Sequence, residues 1–198
     1  MEFFNEVIEL WLAGGPLMIP LVLLALFIYW AAFELYFSFK KENFLKIPES
    51  VWKDWIQNPE TAEGALGDAI RHGQEEVDTM RELRNRFVEI KLTHLPKIDR
   101  RIVFVTILVT IAPLMGLLGT VMGMLNTFRG LSIAAGRTID LVASGISEAL
   151  ITTQTGLVIA IPGYIVLSLV VRRRNKLESI LSRLESETML KLKKSIPA

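Results

Sequence analysis

LVASGISEALITTQTGLVIAIPGYIVLSLVV, residues 141–171, carries a single charge, Glu148, in an otherwise uncharged and mainly apolar run. A helix rising about 1.5 Å per residue needs about 20 mostly apolar residues to cross a bilayer, so this stretch is long enough to span. A carboxylate at the centre of a membrane costs about 2.5 to 3.5 kcal/mol on insertion scales, which is why such a group faces a partner or a wet cavity. Glu148 therefore points to ion movement. Its depth has two readings: counting about 20 residues back from Arg172 reaches only Thr152, leaving Glu148 near the outer surface. A span that runs on into the cytoplasm would instead draw it inward.

Two further runs have the same character. Leu17 to Phe39 holds one charge, Glu34, near its end, and Ile102 to Phe128 holds none. With 51% hydrophobic and 22% charged residues, the chain is too apolar for an ordinary soluble domain and too charged to lie wholly in lipid. The expected class is an all-α membrane protein with three transmembrane helices and a cytoplasmic helical region. A net charge of +1 and no basic, aromatic surface pattern argue against a nucleic-acid partner. The absence of cysteine removes disulfides, cysteine metal sites and a thiol nucleophile, and no cofactor is expected.

The basic residues set the orientation. Of 22 Lys and Arg, only Arg129 and Arg137 lie between the second and third spans, and none precedes the first. Excess positive charge marks cytoplasmic flanks, which puts the amino terminus in the periplasm and the carboxyl terminus in the cytoplasm. The division that follows is 1–16 periplasmic segment, 17–39 first span, 40–98 cytoplasmic helical region, 99–128 second span, 129–140 periplasmic loop, 141–171 third span and 172–198 cytoplasmic tail. Met1 to Gly15 contain Glu2, Glu6 and Glu9 but no Lys or Arg, unlike a cleaved secretory signal, so the first span is expected to stay as an anchor. Phe3, Phe4, Val7, Ile8 and Trp11 suit a short amphipathic surface helix. The paired and tripled basic residues at the three inner boundaries also favour contact with anionic lipid heads, and Glu34 is expected to snorkel toward the interface.

Residues 42 to 98 read as helices. Val51, Trp52, Trp55 and Ile56 share one side; Asn58 is placed to cap a helix beginning at Pro59 and ending near Gly73. Val77, Met80, Leu83, Phe87 and Ile90 form a stripe among charges that calls for a partner helix, as do Leu177, Ile180, Leu181 and Leu184 in the tail. Pro96 should kink or interrupt the chain. His72 and His94 have no second ligand at metal spacing and read as surface or helix-end histidines.

On span three, Ser144, Glu148, Thr152 and Thr155 are spaced by four, four and three, which sets them along one helical face. A neighbouring seam of Ala149, Thr153, Gly156, Ala160 and Gly163 has the small-residue pattern of close helix packing. Span two offers Gly116, Gly119 and Gly123 for the same purpose, with Thr120 the one hydroxyl among them to share a pore with Glu148. Pro113 and Pro162 free backbone carbonyls in their helices. Hydroxyls beside a carboxylate supply oxygen ligands or a proton path. A passive scaffold explains the glycines but not Glu148. An intramembrane hydrolase fits less well, since no span holds a histidine and Glu34 and Asp99 lie at the ends of their spans, away from a paired site with Glu148.

GLLGTVMGMLNTF (116–128), followed by GISEALITT (145–153) and GLVIAIP (156–162), resembles the MotA/TolQ/ExbB proton-channel family, and its ExbB members most closely. The resemblance implies a homopentameric ring in the bacterial inner membrane, enclosing the spans of an ExbD-like single-span partner that bears a membrane aspartate. It implies coupling of ion flow to a TonB-like protein that energises outer-membrane uptake of iron complexes or similar nutrients, with TolQ-like envelope maintenance as the alternative. It also places Thr120, Glu148 and Thr153 near the ion path, whereas periodicity alone favours Thr152 and Thr155. Thr152, Gln154 and Thr155 replace residues that are often small or apolar in the family, which leaves Na+ beside H+ as the translocated ion.

Overall fold

The computed structural model describes residues 11, 13–41, 47–74, 77, 79–133 and 138–195; the expected amphipathic helix at the start falls almost wholly outside them. Among the described residues every regular element is helical. These are α1 (Met18–Lys41), α2 (Glu49–Gln57), a single 3-10 turn (Pro59–Thr61), α3 (Gly64–Gln74), α4 (Met80–Ile133) and α5 (Thr138–Ser195). Three of them, α1, α4 and α5, contain windows long and apolar enough to cross a membrane, making this a multi-pass membrane protein.

The chain divides into two compact units, Met1–Phe33 with Phe104–Leu167, and Glu34–Val103 with Ser168–Ala198. In the first unit α4 and α5 run antiparallel: a side chain at Gly163 would meet Val109, one at Gly156 Ala112, one at Gly116 Thr153, and one at Gly123 Ala149. The α1 helix runs parallel to α5, since Gly15 lies against Glu148 while Tyr29 Oη donates to the Ile159 carbonyl at 3.1 Å. Leu21, Ile28, Val109 and Ala112 fill the interior. Large apolar side chains such as Leu26, Trp30, Leu117, Leu150 and Ile161 remain more than half exposed, as expected of surface that meets lipid or another membrane helix.

The second unit is held differently. Trp52 and Ile56 of α2, Leu66 and Ile70 of α3, Leu83, Phe87 and Ile90 of α4, and Leu177, Leu181 and Leu184 of α5 make its core, so most of both expected stripes is buried, while Val77, Met80 and Ile180 are half-buried. A Cβ at Gly73 would lie 3.0 Å from the Phe87 ring, and its absence admits that ring. Polar contacts also tie the unit together. Arg174 grips Asp99 through both carboxylate oxygens at 2.7 and 2.9 Å, Lys91 pairs with Glu185 at 2.7 Å, and Arg101 pairs with Glu34 at 3.3 Å. The Asp99 hydrogen bonds raise the Arg174 pKa further above its already high value, so this grip keeps its positive partner at every working pH.

Two local expectations need correction. Pro96 does not interrupt the chain: α4 runs unbroken from Met80 to Ile133, because losing one backbone bond is a local cost while Ile90 and Leu95 are anchored in the core beside it. Asn58 gives no side-chain cap, and Pro59 opens only the 3-10 turn before α3 starts afresh at Gly64. The break follows from packing, since Ala62 is buried against the backbone of α3, where a Cβ at Gly67 would come within 2.5 Å of the Ala62 carbonyl carbon. Span three and the tail are one helix, continuous through Arg172 to Ser195.

Asp68, His72, Glu89 and His94 line a cleft of about 250 Å³, with His72 Nε2 3.8 Å from Glu89 Oε2. Among the described residues no three such side chains converge as metal ligands.

Candidate ion-pathway site

The seam between α4 and α5 is built on missing side chains. An added Cβ at Gly156 would lie 2.6 Å from the Ala112 carbonyl oxygen, one at Gly119 2.2 Å from Thr152 Oγ1, and one at Gly116 3.0 Å from Thr153 Cα. Gly116, Gly119, Gly123, Gly156, Ala160 and Gly163 are all buried, and Pro162 is exposed on another side of its helix. The seam extends further than the sequence pattern suggested: a Cβ at Gly145 would fall 1.7 Å from Thr127 Oγ1, and Thr127 is itself buried and bonded to the Gly123 carbonyl at 2.9 Å.

The threonines divide by their place on the α5 circumference. At about 100° per residue, Thr152 lies about 40° from Glu148 and Thr155 about 20° to the other side, while Gly145, Ala149, Gly156 and Gly163 cluster at about 60 to 100°. Thr152 therefore belongs to the edge of the seam. It is fully buried, and its hydroxyl donates to Ala149 O at 2.9 Å. Thr153, on the far edge, is half-buried and donates across to Gly116 O at 2.9 Å. Thr155 and Thr120 are half-buried and donate to Ile151 O at 2.8 Å and Leu117 O at 2.7 Å. With their one proton engaged, these hydroxyls offer lone pairs, which suits a passing cation or hydronium better than it suits a proton donor.

Glu148 is half-buried, and its neighbour is the chain leading into α1. A Cβ at Gly15 would lie 1.9 Å from Glu148 Oε1, and Gly15 has φ of +70°, so both space and backbone favour glycine there. Among the described residues Glu148 enters no hydrogen bond or ion pair. Being level with Gly15 places it beside the start of α1, not at mid-span. Arg172 follows 24 positions later along α5, about 36 Å of helical rise against a hydrocarbon thickness of about 30 Å.

One polar side chain did not enter the sequence-level site. Gln154 is exposed six positions beyond Glu148, about 120° round α5 from it and on the face away from α4. An amide among exposed Leu150, Leu157 and Ile161 is a signal the sequence already carried.

Residues 60–183 match the MotA/TolQ/ExbB proton channel family. Similar proteins include the Tol-Pal system protein TolQ of Haemophilus influenzae, 32% identical over 61% of this chain and 47% of the relative. The biopolymer transport protein ExbB-like 1 of Synechocystis is 28% identical over 93% of this chain and 78% of its own length. The biopolymer transport protein ExbB of Salmonella typhimurium is 35% identical over 40% of this chain and 33% of the relative. The chain thus spans about half of the TolQ relative and a third of this ExbB. The matched segment runs through both glycine seams and Glu148, and it is a segment of proton channels rather than enzymes: the chain belongs to the MotA/TolQ/ExbB proton channel family.

Proposed function

We propose that this chain is a subunit of an ion-driven motor in the bacterial inner membrane, with its amino terminus in the periplasm and its carboxyl terminus in the cytoplasm. Five copies form a ring around the spans of an ExbD-like partner, whose membrane aspartate exchanges the ion with the ring. Ion flow is passed to a TonB-like protein and so to outer-membrane nutrient uptake. The family match over 60–183 carries this reading. In it Glu148, at the amino-terminal end of its span, serves as the periplasmic mouth of the ion route rather than as its middle. Thr120, Thr153 and Thr155 offer oxygen ligands farther in, and Thr152 holds the helix seam. Protons are the expected cargo, and the additional hydroxyls give Na+ a set of hard oxygen ligands as well.

The energy scale is adequate. One charge moving through 100 mV releases about 2.3 kcal/mol, so a few charges per cycle suffice for a modest mechanical step. A TolQ-like role in envelope maintenance is the second reading, favoured by the 32% identity to a TolQ protein. The test expresses the chain with its co-encoded single-span partner in a strain lacking related proteins, then measures TonB-dependent uptake and detergent sensitivity separately. Restored uptake supports the ExbB-like role, and restored envelope integrity without uptake supports the other. Full activity of Glu148→Ala in both assays would defeat the role given to the carboxylate.

A further inference from the structure

On α5, Arg172, Lys176, Ser179 and Arg183 follow one another at spacings of four, three and four, which sets them along one side of the helix, and all four are exposed. Arg172 is the first charge after Glu148, so the stripe begins where the apolar run ends. Its lower part forms one wall of a cleft of about 320 Å³ within the second unit, and Ile47 and Trp52 form the opposite wall. One side thus presents an ammonium, a hydroxyl and a guanidinium; the apolar part comes from half-buried Ile47 and Ile180, with the buried Trp52 behind them. That combination matches an amphiphile with an anionic head: charged donors for phosphate oxygens and an apolar surface for the stem.

Glu49 also lines the cleft and would oppose an anion, but it is engaged by Lys53 at 2.8 Å and by Arg183 at 3.2 Å. The Arg183 pair is exposed on both sides, the kind of contact that readily exchanges for another oxyanion. Among the described residues neither Arg172 nor Lys176 takes part in an ion pair. Positive groups left over at the edge of an apolar span face the anionic surface of the bilayer.

We propose that this cleft binds the phosphate head of an anionic phospholipid through Lys176, Ser179 and Arg183, with Arg172 at the bilayer edge. The site requires only that α5 crosses a membrane, so it stands apart from the ion-route reading. The test uses the full chain purified in uncharged detergent and titrated with phosphatidylglycerol or phosphatidylcholine, retained lipid being counted by native mass spectrometry. Phosphatidylglycerol should be retained and phosphatidylcholine not. Lys176→Gln should weaken retention about fivefold, and Arg172→Gln with Lys176→Gln about twentyfold, as expected for cations at a lipid surface. Lys97→Gln, which removes an equal charge off the stripe, should leave retention unchanged. Equal retention of both lipids, equal loss from Lys97→Gln, or displacement by millimolar inorganic phosphate or an acidic peptide as effectively as by lipid would each overturn the assignment. The single Lys176 variant, on the exposed face, keeps the test valid if the double variant fails to fold.

Discussion

Replacing Gly15 by alanine asks whether Glu148 is held where the structure places it. The backbone there has φ of +70°, a region that L side chains reach at a cost of about 1 to 2 kcal/mol. The new Cβ would also lie 1.9 Å from Glu148 Oε1 and 2.7 Å from Cδ, so the carboxylate must move. Because the clash is with the far end of a flexible side chain, displacement should add only about 0.5 to 1.5 kcal/mol and leave the fold intact. Gly64 supplies the control: its φ is also +70°, and nothing lies within 4 Å of an added Cβ. Gly64→Ala should therefore show the backbone cost alone, and Gly15→Ala that cost plus the displacement. In a Glu148→Ala background, Gly15→Ala should fall back to the Gly64 value. The assay is denaturant unfolding of the four members of the cycle in detergent, with ion-driven uptake measured in parallel. A coupling indistinguishable from zero would refute the placement of the carboxylate against Gly15.

Gly119→Ala should destabilise by about 1 to 3 kcal/mol and be largely relieved by Thr152→Gly, whose hydroxyl it strikes; Gly156→Ala, which meets the Ala112 backbone carbonyl, should find no such rescue. Both follow from thermal unfolding in detergent. Lys191 donates to Ile56 O at 2.7 Å and Gln57 O at 3.4 Å, satisfying the last carbonyls of α2, so Lys191→Met should cost about 1 to 3 kcal/mol and speed amide exchange in α2. Glu49 is held below its ordinary pKa by the Lys53 hydrogen bond and charge, with help from Arg183. The folded value being the lower one, its small contribution is present above the ordinary carboxylate range and lost as pH falls through that lowered value. Unfolding against pH should show that acid loss in the parent and not in Glu49→Gln. Gln154→Leu should leave stability unchanged while reducing ion-driven uptake, and full uptake by that variant would return Gln154 to the lipid-facing surface.

The three spans were legible because length and hydropathy are local quantities, and Val51 to Ile56, Leu83 to Ile90 and Leu177 to Leu184 were legible because a 3.6-residue period survives in any helix that buries one side. The start of α4 was legible but passed over. Thr79 and Glu82 form a reciprocal capping box, each accepting the other's backbone N–H at 3.1 and 3.2 Å, and T-x-x-E is readable in the sequence. Pro96 misled because a rule about one lost bond says nothing about the packing that carries a helix past it. Lys191 on the end of α2 and Glu148 against Gly15 were out of reach, since each joins residues more than a hundred positions apart through tertiary structure alone. Thr152 lies only about 40° of helix from Glu148, less than the width of one side chain's face, and that is enough to bury it in the seam.

That margin bears on how the channel is made. The α5 helix meets α4 along Gly145, Ala149, Thr152 and Gly156, and meets the entry to α1 along Glu148 and Ile151. Together with Thr153, bonded to Gly116, those contacts occupy about 200° of its circumference. The remaining arc holds Ser147, Leu150, Gln154, Leu157 and Ile161, all exposed. Lipid accounts for the leucines and isoleucine but not for an amide, and neighbouring helices account for an amide only if they bring a polar partner. Thr153, bonded to Gly116, stands at one border of this open arc and Ile151, against the α1 entry, at the other, with Glu148 about 60° behind Ile151. In the proposed ring, a lumen on the open arc would favour Thr153, at its border, over Thr152, buried in the seam. A buried hydroxyl cannot reach a lumen formed by the open arc, whereas one at its border can.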